Sequence, residues 1–313
     1  MVQLGANRYG KAEVRLVHVA RGAGPDGRDL IRDWNIWSSL SGDLASAHRS
    51  GSNAHVYPTD SQKNKAYALA KELGADVPPE AFAIELGSFF VSSQPPLSRA
   101  RIAIDEFGWS PIGASGYSFA RSGDLVRTTV VHVDEGAGPG GGAGPGGGVG
   151  PGGGVGISVV SGLKDLTVMN TTASEFWGYP KDAYTTLPET KDRILATSVN
   201  ASWRYRPDAV AAGLDWDACF AAARETILST FAGTYSYSLQ QMLYTIGTAL
   251  LEALPSACEV RLVLPNKHHY VVDLAPFGLD NDREVYLAGD RPYGQIEGTV
   301  LADDAPEPSL AWD

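Results

Sequence analysis

Residues 215–255 read DWDACFAAARETILSTFAGTYSYSLQQMLYTIGTALLEALP, and this stretch decides the fold class. Apolar side chains recur at helical spacing in two runs, which predicts helices over 215–231 and 238–254. An aspartate and a serine at the two starts can cap these helices, and a proline stops the second. The apolar faces are Trp216, Phe220, Ala223 and Ile227 in one helix and Leu239, Leu243, Ile246 and Leu250 in the other. Because each helix buries one face, both are predicted to pack on a sheet.

Two series of elements in the same order lie on either side of a Gly/Pro-rich segment. In the first half the patterns predict strands at 13–20 and 29–39, helices at 61–73 and 79–91, and strands at 99–106 and 117–134. In the second half they predict strands at 156–170 and 193–205, the two helices above, and strands at 259–264 and 269–274, with short pieces after. The order predicts an α+β protein of two tandem β-β-α-α-β-β units.

Residues 136–156 are almost wholly Gly and Pro and contain three hexapeptides of the form PGGG[AV]G. Such a segment has no side chains that could form a core, so we predict a flexible linker between an N-terminal unit, 1–135, and a C-terminal unit, 157–313. It contains G-x-G-x-x-G, but no Lys-Ser/Thr follows and no strand or helix flanks it. Phosphate binding is therefore not predicted there.

The composition excludes several classes of partner. The formal net charge of -11 argues against a general nucleic-acid binder, which would carry a basic surface. Cys219 and Cys258 are the only cysteines, too few for a disulfide scaffold, which favours a reducing compartment. No apolar run approaches the roughly 20 residues of a membrane span. The N-terminal sequence MVQLGANRYGKAEVR has no apolar signal region. We therefore expect a cytoplasmic protein with neither nucleic acid nor membrane as a partner.

Polar residues collect at the predicted element ends of the first half. Thr59 and Gln62 have the T-x-x-Q spacing of a capping box at a helix start. A helix start presents unpaired N–H groups and a positive dipole end, so Thr59 and Asp60 lie where an anionic ligand could bind. Lys11 lies in a second polar stretch upstream. Taken alone, these residues are also those of an ordinary helix start.

The second half offers four further positions, and each has an ordinary structural explanation. Phe176 lies in the segment SEFWG, where adjacent aromatic residues can anchor a turn in the core. Arg193 precedes an apolar run and could be a surface residue at a strand edge. Gln240 could face solvent in a first helical turn. The segment 264–269, LPNKHH, is predicted to be a tight turn, in which Asn and His are common.

The histidine and cysteine spacings do not predict a metal site. There is no H-x-x-x-H, H-E-x-x-H or C-x-x-C pattern, although a site assembled from distant residues stays open. There is likewise no G-x-S-x-G, no P-loop and no kinase signature.

Five stretches, taken together, carry a family resemblance: NRYGKAEVR, YPTDSQKNKAYALAKE, LKDLTVMNTTASEFWGYPKDAYTTLPETKDRILATSVNASWRY, SLQQMLY and LPNKHHYVVDL. In this order the chain resembles the cofactor-free urate oxidases, or uricases, and the Gly/Pro segment looks like an insertion. The resemblance implies two tandem tunnelling-fold (T-fold) units, each an antiparallel four-stranded sheet with two helices on one face. It also implies a homotetramer in which active sites are shared between subunits.

The resemblance also implies a role for individual residues, with no metal and no cofactor. Catalytic roles fall on Lys11, Thr59 and His268. Substrate binding falls on Thr59, Asp60, Phe176, Arg193, Leu239, Gln240 and Asn266. The family usually carries Val at the position of Leu239, a mild departure because the implied contact is the backbone N–H.

The implied reaction converts urate, dioxygen and water into 5-hydroxyisourate and hydrogen peroxide. The Lys11–Thr59 pair would remove a proton, and Asn266 and His268 would hold dioxygen or water. Two other functions stay open on the same fold. A non-catalytic purine-binding protein would keep Phe176, Arg193 and Gln240 and lose Lys11 or Thr59, both of which are present. The other is a pterin-type cyclohydrolase or aldolase, and the cyclohydrolases need a Cys/His zinc site that the spacings do not show.

Overall fold

The computed structural model describes residues 2–136, 155–308 and 310–313. Its eight long strands form one antiparallel sheet in chain order, β1 to β8. The strands are β1 (Tyr9–Ala20), β2 (Leu30–Gly42), β3 (Leu97–Pro111), β4 (Phe119–Glu135), β5 (Val155–Asn170), β6 (Leu195–Tyr205), β7 (Ala257–Val271) and β8 (Tyr286–Leu301). Each half of the chain contributes four consecutive strands, which confirms the predicted α+β fold of two tandem T-fold units.

Two long helices from each half pack on the sheet. The helices are α1 (Ala45–Ser50), α2 (Thr59–Leu73), α3 (Pro79–Ser93), α4 (Pro207–Ala212), α5 (Trp216–Gly233) and α6 (Leu239–Ala253). In the first unit α2 and α3 contact β1, β3 and β4, and in the second α5 and α6 contact β5, β7 and β8. Aromatic pairs join the two layers: Trp34 lies 4.9 Å from Phe82, and Tyr205 lies 5.1 Å from Trp216. The apolar faces of the helices therefore cover one face of the sheet, as their periodicity predicts.

The first strand of each unit contains a bulge at a corresponding place. The register shifts by one residue between Lys11 and Val14 in β1, and again between Leu163 and Leu166 in β5. Each bulge includes an acidic residue with positive φ, Glu13 at 55° and Asp165 at 67°. A shared irregularity of this kind supports an internal repeat, because an extra residue in a strand costs regular pairing wherever it occurs.

The predicted turn at 264–269 is wrong. Strand β7 runs without interruption from Ala257 to Val271, and its polar stretch pairs with β6 on one side and β8 on the other. Strand β8 was predicted only as short pieces. Asn266 and His268 are therefore held by a sheet and not by a loop.

A buried charged cluster ties the two halves together. Arg127 of β4 is 6% exposed, and its guanidinium lies 2.7 Å from Glu80 of α3 and 2.5 Å from Asp217 of α5. Ser161 of β5 donates a hydrogen bond to the other oxygen of Glu80 at 2.6 Å. Because leaving one buried charge unpaired is costly, this cluster favours one fixed arrangement of the two halves.

Most of the predicted linker, residues 137–154, lies outside the described residues. On either side of it, β4 and β5 pair directly, with Glu135 opposite Val155 and Asp134 opposite Gly156. Strand β5 begins at Val155, so the last two residues of the predicted linker are strand residues. The division into two domains remains a proposal, because both halves contribute strands to one continuous sheet.

Replacing residues 138–152 by a short Gly/Ser turn is expected to leave specific activity within about twofold of the unmodified chain. The strand pairing on both sides fixes the ends of the connection. The entropy cost of closing a loop depends only weakly on its length, so a shorter connection changes stability little. Steady-state kinetics of the purified variant measure this. A collapse in activity at unchanged folding would instead assign the segment a task of its own.

His132 of β4 is expected to make stability depend on pH below neutrality. Its side chain is 7% exposed, and burial followed by the charges of Arg101, Arg8 and Arg99 lowers its pKa to about 4, with Asp313 opposing. The unfolded chain binds a proton near pH 6.5 while the folded chain does not, so stability falls as the pH drops from 6.5 to 4. The loss attributable to this group is about 3 kcal/mol.

Urea titrations between pH 7 and 4 measure the free energy of unfolding. The variant His132→Gln is expected to have a shallower decline than the parent, whatever its stability at pH 7. If the free energy of unfolding declined equally in both proteins, groups other than His132 would cause the loss of stability in acid.

Among the described residues, no helix is long and apolar enough to cross a membrane.

Candidate active site

The bulge in β1 places Lys11 on the helix-covered side of the sheet. Lys11 is the partner of Ser38 across the β1–β2 ladder, and cross-strand partners point to the same face. Ser38 is 7% exposed and donates a hydrogen bond to the Gln62 side chain of α2 at 2.8 Å. The N–H of Lys11 in turn donates to the Ser38 hydroxyl at 3.3 Å. Lys11 is thereby fixed beside the first turn of α2.

The predicted capping box at Thr59 is wrong. Helix α2 begins at Thr59 itself, after Pro58, and no side chain caps it. Gln62 is 1% exposed, and its amide donates to the Tyr57 carbonyl at 3.2 Å in addition to its bond with Ser38. Its side chain is therefore used in the core and cannot reach back to the helix start. The backbone N–H groups of Thr59 and Asp60 are thus left to a ligand or solvent, as the dipole argument requires.

Asp60 directs its carboxylate along its own helix. One oxygen lies 2.7 Å from the Lys63 ammonium and the other accepts from Asn64 at 2.9 Å. The hydrogen bond and charge of Lys63 lower the pKa of Asp60, and the charge of Lys11 adds to that effect. Lys11 and the start of α2 are therefore electrostatic neighbours within one chain, which the sequence could not establish.

Phe176 and Arg193 are brought together by the loop between β5 and β6. The Arg193 N–H donates to the Ser174 carbonyl at 2.9 Å, and Phe176 forms an isolated antiparallel bridge with Thr190. The guanidinium carbon of Arg193 lies 5.3 Å from the centre of the Phe176 ring. Burial lowers the pKa of Arg193, which remains cationic at any physiological pH. A cation and an aromatic face are thus presented side by side.

The start of α6 joins the same cluster through a second bridge. The Glu175 N–H donates to the Ser236 carbonyl at 2.8 Å, and the Ser236 N–H donates to Ala173 at 3.0 Å. Two residues on, Ser238 caps α6 by accepting from Gln241 at 3.1 Å, which confirms the cap expected there. Leu239 and Gln240 are the first residues of α6, so their N–H groups have no partner within the helix. The Gln240 side chain is exposed.

Asn266 and His268 reach the cluster from β7. Asn266 is the cross-strand partner of Thr197 on β6, a few residues after Arg193. Burial lowers the pKa of His268, followed by the positive charges of Arg193 and His269. The imidazole is therefore kept neutral near pH 7, the form that can accept a proton.

Three buried polar atoms around this cluster have no hydrogen-bond partner among the described residues. They are Nε of Arg193, Oγ1 of Thr197 and Oγ of Ser174, and the last two residues are 0% exposed. Buried polar groups are almost always satisfied, so such a group of atoms marks a place where a polar ligand can bind. Sequence reasoning gave no role to Ser174 or Thr197, although both lie in a stretch that carries the resemblance, because a single hydroxyl side chain gives no spacing signal.

The candidate residues therefore form two clusters within one chain. Lys11, Thr59 and Asp60 lie together in the first unit. The remaining residues, Phe176, Arg193, Leu239, Gln240, Asn266 and His268, lie in the second unit. Strands β3, β4 and β5 lie between β2 and β6 in the sheet, so the two clusters lie on different parts of it. Within the described ranges, no three His, Cys, Asp or Glu side chains are arranged to hold a metal ion.

Known proteins of one family match this chain over nearly its whole length. The family model described as Uricase matches residues 7–132 and 159–297. A uricase of Arthrobacter globiformis is 42% identical over 311 residues, which span 99% of this chain and 94% of that protein. A uricase of Arabidopsis thaliana is 34% identical over 94% of each chain. The crystal structure of the Arthrobacter globiformis uricase covers 97% of this chain and 96% of its own, with a TM-score of 0.85 and 43% identity.

Proposed function

Because the chain belongs to the uricase family, whose members are oxidoreductases, we propose that it oxidises urate with dioxygen and water to 5-hydroxyisourate and hydrogen peroxide. The observation that supports this most is the meeting of Phe176, Arg193 and the start of α6 at one place. A flat anion fits there, because an aromatic ring offers stacking and a guanidinium offers a planar fork of donors.

Binding would use the edges of the purine. Arg193 would donate two N–H bonds to a carbonyl oxygen and a deprotonated ring nitrogen, and its Nε, which has no partner among the described residues, is one of the donors available for them. Gln240 would turn its exposed amide onto the same edge, since an amide both donates and accepts. The free N–H of Leu239 would donate to a further ring atom. The backbone of Thr59 and Asp60 would hold the far edge of the ring.

Chemistry would begin with loss of a second proton from the urate anion. Lys11, acting as the neutral amine, would take that proton through the Thr59 hydroxyl. The resulting dianion gives two electrons to dioxygen, which leaves as hydrogen peroxide after it takes up two protons, one returned by Lys11 and one from solvent. Water then adds at the oxidised ring carbon and yields 5-hydroxyisourate. Asn266 would orient dioxygen and then the water, and neutral His268 would take up the proton that the water loses.

The two clusters within one chain suggest that the site is shared. We propose that Lys11, Thr59 and Asp60 of one subunit complete the second-unit cluster of a neighbour, in a homotetramer. The sheet order is what favours two chains over one: β2, which pairs with Lys11, and β6, which pairs with Asn266, are four strand positions apart, about 19 Å along the sheet. An isologous pair of subunits would form two such sites at once.

The direct test is an assay of the full chain, purified and stripped of metal by chelation, with urate in air. Urate consumption followed by its absorbance and equimolar peroxide are expected. Samples with and without added transition metals serve as the control for contaminating catalysis. If neither urate loss nor peroxide appears, the proposed function is wrong.

A further inference from the structure

Tyr179 lies against the ring that is proposed to stack on the substrate. Its ring centre is 4.9 Å from that of Phe176, and the two planes differ by 18°, a parallel stack. Nothing in the roles assigned so far uses Tyr179. An aromatic ring has two faces, so a group packed against one face sets the orientation in which the other face meets a ligand.

The backbone of Phe176 is fixed without any help from Tyr179. Its N–H donates to the Thr190 carbonyl at 2.8 Å, and its carbonyl accepts from Thr190 at 3.0 Å. These bonds leave the side chain free to rotate between rotamers about its own bonds. The plane of the ring therefore depends on the groups beside it, which are Tyr179 and the Arg193 guanidinium.

Tyr179 is itself held on the opposite side of the loop. Its hydroxyl donates to the Leu187 carbonyl at 2.5 Å. The preceding residue, Gly178, has φ of 75° and donates its N–H to the Glu189 carboxylate at 2.9 Å. Glu189 also pairs with Lys181 at 3.3 Å. The Tyr179 ring is thus a fixed support, anchored at its own hydroxyl and at the backbone of the preceding Gly178.

We propose that Tyr179 is a positioning residue for urate oxidation, which covers the face of Phe176 away from the substrate and sets the plane of that ring. The purine anion then stacks on the face of Phe176 that Tyr179 does not cover, while its edge meets Arg193, whose guanidinium carbon lies 5.3 Å from the ring centre. The inference rests on the proposed function. The competing arrangement, in which Tyr179 holds the place of the substrate and must move out, makes the opposite prediction for affinity.

The test compares Tyr179→Ala, Tyr179→Leu and Tyr179→Phe in the full chain. Alanine removes the support, leucine keeps apolar volume without a planar ring, and phenylalanine keeps the stack but loses the bond to Leu187. Xanthine, a flat purine that resembles urate, serves as the binding probe. With Ala or Leu, KM for urate and the dissociation constant of xanthine are expected to rise about two- to tenfold, which is the change in affinity that loss of one aromatic pair usually causes. The change in kcat at saturating urate is expected to be smaller, and Tyr179→Phe is expected to stay within about twofold of the parent in both constants.

Tyr184→Ala is the matched control, because Tyr184 is on the same loop and 89% exposed. It should change none of these constants. Tighter xanthine binding in Tyr179→Ala would support the competing arrangement and overturn the proposal. So would unchanged affinity, an equal effect of Tyr184→Ala, or failure of phenylalanine to restore affinity. Failure of the proposed function is recognised separately, because the unmodified chain would then consume no urate.

Discussion

Replacing Lys11 by Met is expected to lower kcat about 10²- to 10⁴-fold, the usual contribution of a positioned acid–base group. Methionine keeps much of the aliphatic length of lysine and removes only the ammonium. The backbone bond from Lys11 to Ser38 does not involve the side chain, so the strand and the start of α2 should stay in place. Xanthine affinity is expected to change less than about threefold, because Lys11 is assigned to proton transfer and not to the purine edge.

The matched control is Lys71→Met, the same change in the last turn of α2, where no catalytic role is proposed. Thr59→Ser should keep most activity and Thr59→Val should lose it, if the hydroxyl passes the proton. Equal losses of kcat and xanthine affinity in Lys11→Met would instead make Lys11 a binding residue. Stopped-flow single-turnover traces separate the chemical step from product release.

Mixing two inactive variants, Lys11→Met and Arg193→Lys, is expected to restore about a quarter of the parent activity. If each site takes its first cluster from one chain and its second from a neighbour, half of randomly formed pairs are mixed. Each mixed pair then has one site with both defects and one site with none. Arg193→Lys keeps a positive charge but loses the planar fork, so this variant alone should be strongly impaired.

The control for this experiment mixes Lys11→Met with Thr59→Val. Both defects lie in the first cluster, so no arrangement of subunits yields an intact site and no activity should return. Co-expression with two affinity tags and tandem purification supplies the mixed oligomer. Recovery in neither mixture, with mixed oligomers present, would place the whole site within one chain and refute sharing.

The parts of the fold that could be predicted are those in which local signals agree. Helices α5 and α6 combine a periodic apolar face with caps at Asp215 and Ser238, both of which are used in the structure. Strand β8 has no such agreement. Gly289, Pro292 and Gly294 interrupt its pattern, and such residues are tolerated because β8 is the last strand of the sheet that the described residues form. In the same way Pro265 made part of β7 look like a turn.

Only part of the candidate site could be predicted from the sequence. The identities of Phe176, Arg193 and Asn266 came from a resemblance spread over the chain, and the structure places them in one cluster. The capping box at Thr59 and Gln62 was wrong because a buried partner, Ser38, competes for the glutamine side chain. Short-range spacing cannot anticipate a bond to a residue on a distant strand. The roles of the individual residues remain predictions.

The bulge in β1 has a consequence for how relatives of this protein can be recognised. Side chains along a regular strand alternate between faces, so residues three apart, such as Lys11 and Val14, would point to opposite faces. The extra residue of the bulge cancels that reversal and leaves both side chains on the face that α2 covers. A homologue that lacked one residue here would have a regular strand, with its lysine two residues before the valine, and would still direct that lysine toward the helix. A homologue with this spacing but a regular strand would direct its lysine away, so the spacing has to be judged together with the bulge and not by percentage identity.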